Sequence, residues 1–177
     1  MGIIDNVDNS ILSNITTVKV RKTFTPTLSS STKYDIYFRN AIYNPHSGHE
    51  SVLSSTGFKI SGNNNEMFLD DDGQGNVRLY YLVSGIKTVQ NATQGTIDYS
   101  SGKVEVNSLN VSNIENVRGV ASTVIEVTVK PNSNDIVPIR NQVLDMDIAN
   151  STVTVEADTL VGGSANAGIG YTTTSSY

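Results

Sequence analysis

Cysteine and tryptophan are missing from these 177 residues, and histidine occurs only twice. Without cysteine, disulfide scaffolds, thiol nucleophiles and thiolate-ligated zinc are excluded. Charge is scarce as well: 12 basic and 17 acidic residues make up 16% of the chain, against roughly 25% in an average globular protein. A net charge of −5 leaves no surplus of cations to neutralise phosphates, which disfavours general nucleic-acid binding. No segment approaches the roughly 18 apolar residues of a membrane span. The opening Met1-Gly2-Ile3-Ile4-Asp5 has no apolar run of signal-peptide length, so the expectation is a soluble chain made in the cytoplasm. What is abundant is Ser, Thr and Asn, together about a third of the chain. A chain of this length buries roughly 70% of its unfolded surface on folding, enough for one full domain or two small ones.

Hydrophobic periodicity divides the chain early. Ile4, Val7, Ile11 and Ile15 recur at three and four residues, which predicts a short helix that Asp5 or Asp8 can cap. Beyond it the period is two. Val18 and Val20 alternate with polar neighbours, as do Tyr34, Ile36 and Phe38, and then Val77, Leu79, Tyr81 and Val83. The pattern returns at Ile97 and Tyr99, at Val104 and Val106, at Ile125, Val127 and Val129, at Leu144, Met146 and Ile148, and at Val153 and Val155. Val and Ile far outnumber Leu, as expected where β-branched side chains pack on pleated surfaces. The predicted class is mainly β, with antiparallel sheets packed as a sandwich or as two joined β lobes, a short N-terminal helix and a low-complexity C-terminal tail.

Residues 95–106 predict a tight hairpin: Ile97 and Tyr99 precede Ser100-Ser101-Gly102, Val104 and Val106 follow, and Gly102 takes the positive-φ position. The apolar phase then slips to Leu109 and Val111, which predicts a bulge near Asn107-Ser108. Residues 1–161 read as one β-rich domain, with 1–85 and 86–161 as possible lobes. Residues 162–177, rich in Gly and Ser, read as a flexible tail or docking arm. Lys19, Arg21 and Lys22 form a basic cluster, read as the protection of an edge strand.

Few residue groups suggest chemistry. His46 and His49 share the loop Asn44-Pro45-His46-Ser47-Gly48-His49-Glu50, and imidazoles beside a carboxylate suit zinc or nickel. A loop of Pro, Ser and Gly fixes no ligand geometry, so a solvated loop is the favoured reading. Asp70-Asp71-Asp72-Gly73-Gln74-Gly75-Asn76 is the densest anionic site, and Asp70 and Asp72 are its candidate cation ligands. Counted from Asp70, the twelfth position is Tyr81, where an EF-hand needs a bidentate Glu, so a charged hairpin turn is preferred. Asp145 and Asp147 share a strand face that reads as solvated. No Gly-x-Ser-x-Gly elbow and no phosphate-binding loop occurs. Neither an enzyme nor a cofactor is expected.

Several segments in order resemble one family. They are Asp8-Asn9-Ser10-Ile11-Leu12-Ser13-Asn14, Tyr43-Asn44-Pro45-His46-Ser47-Gly48 and Ser55-Thr56-Gly57-Phe58-Lys59-Ile60. Leu69-Asp70-Asp71-Asp72-Gly73 and Gly75-Asn76-Val77-Arg78 follow, then Gly95-Thr96-Ile97-Asp98-Tyr99 with Gly102-Lys103-Val104, and Asn134-Asp135-Ile136-Val137-Pro138-Ile139-Arg140-Asn141-Gln142. From about residue 5 onward this order resembles the C-terminal region of the baseplate wedge protein that forms the inner ring of T-even-type contractile phage tails, especially in cyanobacterial myophages. The family's subunits are considerably longer than this chain. The resemblance implies a structural, non-catalytic virion protein of the tail baseplate, assembled in the host cytoplasm. Its implied partners are a second copy of itself and other baseplate wedge proteins, with no nucleic acid or membrane. One implied contact lies in this region. It is expected to use an uncovered strand edge or the stretch Asp135 to Gln142, with Asp135, Ile136, Pro138, Arg140 and Gln142 as candidate residues, where Pro138 interrupts ladder pairing and Arg140 can reach a partner. The rival expectation is a cation-assisted receptor- or glycan-binding module of a tail fibre, with Tyr37, Tyr80 or Tyr171 as sugar platforms.

Overall fold

The computed structural model describes residues 16–133 and 146–155. The chain divides into two compact units, Thr17–Leu144, and the ends Met1–Thr16 with Asp145–Tyr177. Among the described residues the first unit holds nine strands: β1 (Val20–Phe24), β2 (Ser31–Tyr37), β3 (Leu53–Ser55), β4 (Phe58–Ile60), β5 (Asn63–Asp71), β6 (Asn76–Val83), β7 (Ile86–Asp98), β8 (Lys103–Ile114) and β9 (Ile125–Val129). All their pairings are antiparallel.

The mainly β character agrees with the alternation in the sequence, but the sandwich and the two-lobed alternative are both corrected. β4 pairs with β5, β5 with β6, β6 with β7, β7 with β8, and β8 returns to β4, so five strands close into a barrel. Strands on both sides of residue 85 take part in that one circuit. The cause lies in β8. Its first residues pair with β7, as in Val106 opposite Gly95, while its last pair with β4, as in Ile114 opposite Phe58. Between them the strand turns at the predicted bulge: Leu109 opposes Thr32 and Val106 opposes Tyr34, leaving one extra residue in β8, and Ser108 has φ 49. A bulge sharpens local twist and bends its strand, which lets one sheet curl onto itself. The remaining strands are additions. β2 pairs with β8, β3 joins β5 to β9, and β1 caps β9.

The other correction concerns helix. The helix expected over residues 4–15 lies outside the described residues, and these contain no α-helix; one 3-10 turn, Ile148–Asn150, is their single helical element. The tail expected over residues 162–177 also lies outside them. The strand pattern expected through Met146 and Ile148 and through Val153 and Val155 is not paired among the described residues, and all four side chains are exposed.

The apolar phase of each strand points into one core. Met67, Leu69, Val77, Leu79, Ile97, Val104, Val106 and Val111 come from the barrel, joined by Ile36 of β2, Leu53 of β3 and Ile125, Val127 and Val129 of β9. Each fully buried aliphatic or aromatic side chain contributes roughly 1.5–3 kcal/mol. The predicted β7–β8 turn has Gly102 at φ 69, and in the β6–β7 turn Ser84 and Gly85 both have positive φ, the signature of a two-residue I′ turn. β1 has β9 as its strand partner and carries Arg21, which reaches Glu126 across the pair at 3.1 Å, consistent with an edge kept soluble by charge.

Candidate functional site

Three connections meet at one end of the barrel: residues 43–50, the β5–β6 turn at 72–75, and the β7–β8 turn at 99–102. Backbone bonds hold them together. Gly48 N–H donates to Gly73 O at 2.8 Å, Ile42 N–H to Tyr99 O at 2.7 Å and Ile97 N–H to Gly75 O at 2.9 Å. Close approach between the first two requires Gly73, where φ is 71 and a Cβ would sit 2.5 Å from both N and O of His49. An open cleft of about 380 Å³ lies between the three, lined by Asn44 and Ser47, Gly73 and Gln74, and Asp98 and Ser100.

Beneath the cleft lies Asp71, fully buried at the end of β5. Its Oδ1 accepts from the backbone N–H groups of Val52 at 2.7 Å and Leu53 at 2.9 Å and lies 2.8 Å from the Ser51 hydroxyl. Its Oδ2 accepts from Tyr99 OH at 2.8 Å and Gly73 N–H at 3.3 Å. One carboxylate therefore ties β3, the acidic turn and the end of β7 together. Burial and the bond to Asp71 push the Tyr99 hydroxyl well above the usual tyrosine range.

The candidates from the sequence have separate surroundings. Asp70 is buried on the opposite face of β5 from Asp71 and directly opposite Arg78 on β6. The Arg78 guanidinium forks onto it with bonds of 2.9 and 2.7 Å, and Lys87 Nζ adds a third at 2.5 Å. The bond to Asp70 raises Arg78 above its ordinary range. Asp72 folds back on its own turn, accepting from Gln74 N–H at 2.8 Å, Asn76 N–H at 3.0 Å and the Asn76 amide at 2.6 Å. Partial burial raises its pKa, but these bonds outweigh that effect, so the carboxyl titrates below its ordinary value. His46 is exposed. His49 is buried, its Nδ1 2.7 Å from Glu50 O and its ring edge-on to Tyr99 with centroids 5.3 Å apart. His49 Nε2 is buried with no hydrogen-bond partner among the described residues. The loop bearing the two histidines and the acidic turn are thus neighbours, yet among the described residues no three His, Asp or Glu side chains converge to hold a metal ion.

Asp98, the last residue of β7, accepts from Ser100 N–H and Oγ at 3.0 and 2.6 Å and from Ser101 Oγ at 2.5 Å, and these bonds hold it far below the usual carboxylate range. The shifted groups around the cleft, Asp72, Asp98 and Tyr99, all move away from neutrality, the direction opposite to that of a poised general acid or base. Tyr37 and Tyr80, the candidate sugar platforms, lie on β2 and β6, which do not pair, and each has a lysine over its ring, Lys103 at 5.5 Å and Lys87 at 4.3 Å. Tyr171, Asp145 and the interface candidates Asp135, Ile136, Pro138, Arg140 and Gln142 lie outside the described residues. The residue that sequence reasoning passed over is Asp71. Its signal is present, since Met67, Leu69 and Asp71 occupy one phase of a strand and Asp71 is therefore aimed into the core.

Comparison with protein-family models, with characterised proteins and with solved structures finds no match to this chain.

Proposed function

We propose that the chain is a structural component of a contractile phage tail baseplate: the C-terminal assembly domain of the wedge protein that forms the inner ring, binding a second copy of itself and neighbouring wedge proteins in the virion. The ordered run of motifs from Asp8 to Gln142 supports the family assignment. The observation that carries the assembly role is a contrast in how side chains are used. The acidic groups that could do chemistry are occupied in holding turns and strands together, whereas Leu82, Val83, Ile86 and Val89 of a single hairpin are exposed. Exposed apolar side chains grouped on one element mark a surface that a partner covers. In this reading the protein is not an enzyme, takes no cofactor and binds neither nucleic acid nor membrane. Sedimentation equilibrium of the purified chain tests it: self-association at micromolar concentration is expected, and a strictly monomeric chain contradicts the reading.

A further inference from the structure

The β6–β7 hairpin presents an edge unlike the others. Residues 86–91 of β7 pair with β6 on one side, with a register shift between Val89 and Asn91; among the described residues no strand pairs with the other side, because β8 joins β7 only from Gly95 onward. Four apolar side chains of this hairpin are open to solvent: Leu82 is 50% exposed, Val83 51%, Ile86 71% and Val89 44%. Soluble proteins blunt free strand edges with charge. β1 follows that rule with Arg21 and Lys22, and β2 with Lys33 and Asp35. The open stretch of β7 has one charge, Lys87, and its ammonium is turned back to Asp70 at 2.5 Å and lies 4.3 Å over the Tyr80 ring. This edge is unguarded.

The second observation comes from residues 151–155, Ser-Thr-Val-Thr-Val. β-branched residues alternate there with the period of a strand, and Ser151 is already extended, with φ −84 and ψ 135. Yet no strand pairs with the segment among the described residues, and Val153 and Val155 are 88% and 89% exposed. A segment with strand chemistry and no ladder is the complement of a ladder with no neighbour. Five extended residues span about 17 Å and the six residues of the open edge about 20 Å, so the segment fits within it.

We propose that residues 151–155 of one copy add as a strand to residues 86–91 of β7 in a second copy. The backbone of the added strand supplies the hydrogen bonds, and its two valines share one face and cover apolar side chains of the hairpin. Donor and acceptor are different surfaces, so the contact is head-to-tail and propagates from copy to copy until it closes or is capped. It rests on the assembly reading above and names the contact.

The test uses the full chain and two double variants at exposed positions, with circular dichroism to verify that each keeps the β signal of the wild type. One variant charges the edge, Ile86→Lys with Val89→Lys; the other disables the donor, Val153→Pro with Val155→Pro, since proline cannot donate to a ladder. Light scattering after size exclusion should show a wild-type mass above 19.0 kDa. Either variant alone should associate at least about tenfold more weakly. Mixed together they should form a complex of two copies and stop there, because one intact donor meets one intact edge. If both variants associate like the wild type, this contact is wrong and the assembly reading stands. If both are monomeric and mixing does not pair them, the contact is not head-to-tail and the proposal fails. A monomeric wild type overturns both.

Discussion

Asp71 joins three segments of the molecule, because its fully buried carboxyl group accepts from Val52 and Leu53, from Tyr99 and from Gly73. Removing it leaves the N–H groups of Val52 and Leu53 buried without an acceptor, each at the cost of an unmade hydrogen bond. Asp71→Ala should lower unfolding stability by about 3–5 kcal/mol, and Asp71→Asn by less, since its amide oxygen still serves the two backbone donors. Urea denaturation midpoints measure both, and a near-neutral Asp71→Ala contradicts the role. Glu105 is a surface counterpart. It lies directly opposite Asp35 on β2, a like-charge pairing made tolerable by Lys103 and Lys33, the latter 3.2 Å from Glu105 and 3.6 Å from Asp35. The bond from Lys103 first, and that from Lys33 second, lower the Glu105 carboxyl from 4.5 to about 2. A depressed carboxyl stabilises the fold at and above the unfolded pKa, and that contribution disappears as pH falls from about 4.5 towards 2. Glu105→Gln should therefore lose less thermal stability than the wild type across that acid range, and parallel losses in the two proteins contradict it.

At the scale of elements, the three connections around the cleft depend on each other through Gly73. Gly73→Ala places a methyl group against the backbone of His49 at a positive φ. It should cost roughly 1–3 kcal/mol and should speed amide exchange in residues 44–50 while leaving the core strands β6 and β8 protected. Equal protection of residues 44–50 in the variant argues that the loop does not depend on this contact. Much at this scale was legible in the sequence. The Gly102 hairpin, the bulge at Ser108, the charged turn after β5, the inward phase of β9 and that of β6 as far as Tyr81 follow from two-residue alternation and turn chemistry, whereas Val83 at the end of β6 is exposed. β3 and β4 were not, because three residues are too few to show a period. The start of β5 was hidden as well, since Asn63, Asn64, Asn65 and Glu66 carry no apolar alternation and the segment is ordered by pairing of β5 with β4. Conversely, Val153 and Val155 show the pattern of a strand and have no strand partner among the described residues. Pattern states what a segment can do, and the ladder requires a neighbour.

For the whole molecule, alternation tells which face of each strand is buried but not whether the buried faces belong to two facing sheets or to one curled sheet. Closure was decided by long-range pairing, with β8 shared among β2, β4 and β7. The candidate site was legible only in part: the histidine loop and the acidic run were recognisable in the sequence, but their meeting at one barrel end required the fold. Within the described residues, the acidic side chains at that end hold connections in place, while Leu82, Val83, Ile86 and Val89 on the β6–β7 hairpin and Val153 and Val155 near the C-terminal end are exposed. The proposed role follows from this arrangement: a rigid barrel that acts through what its surface joins. Sedimentation equilibrium over a range of micromolar concentrations tests that claim most directly. An apparent mass that rises above 19.0 kDa with concentration is the predicted result, and a mass fixed at 19.0 kDa throughout contradicts the account.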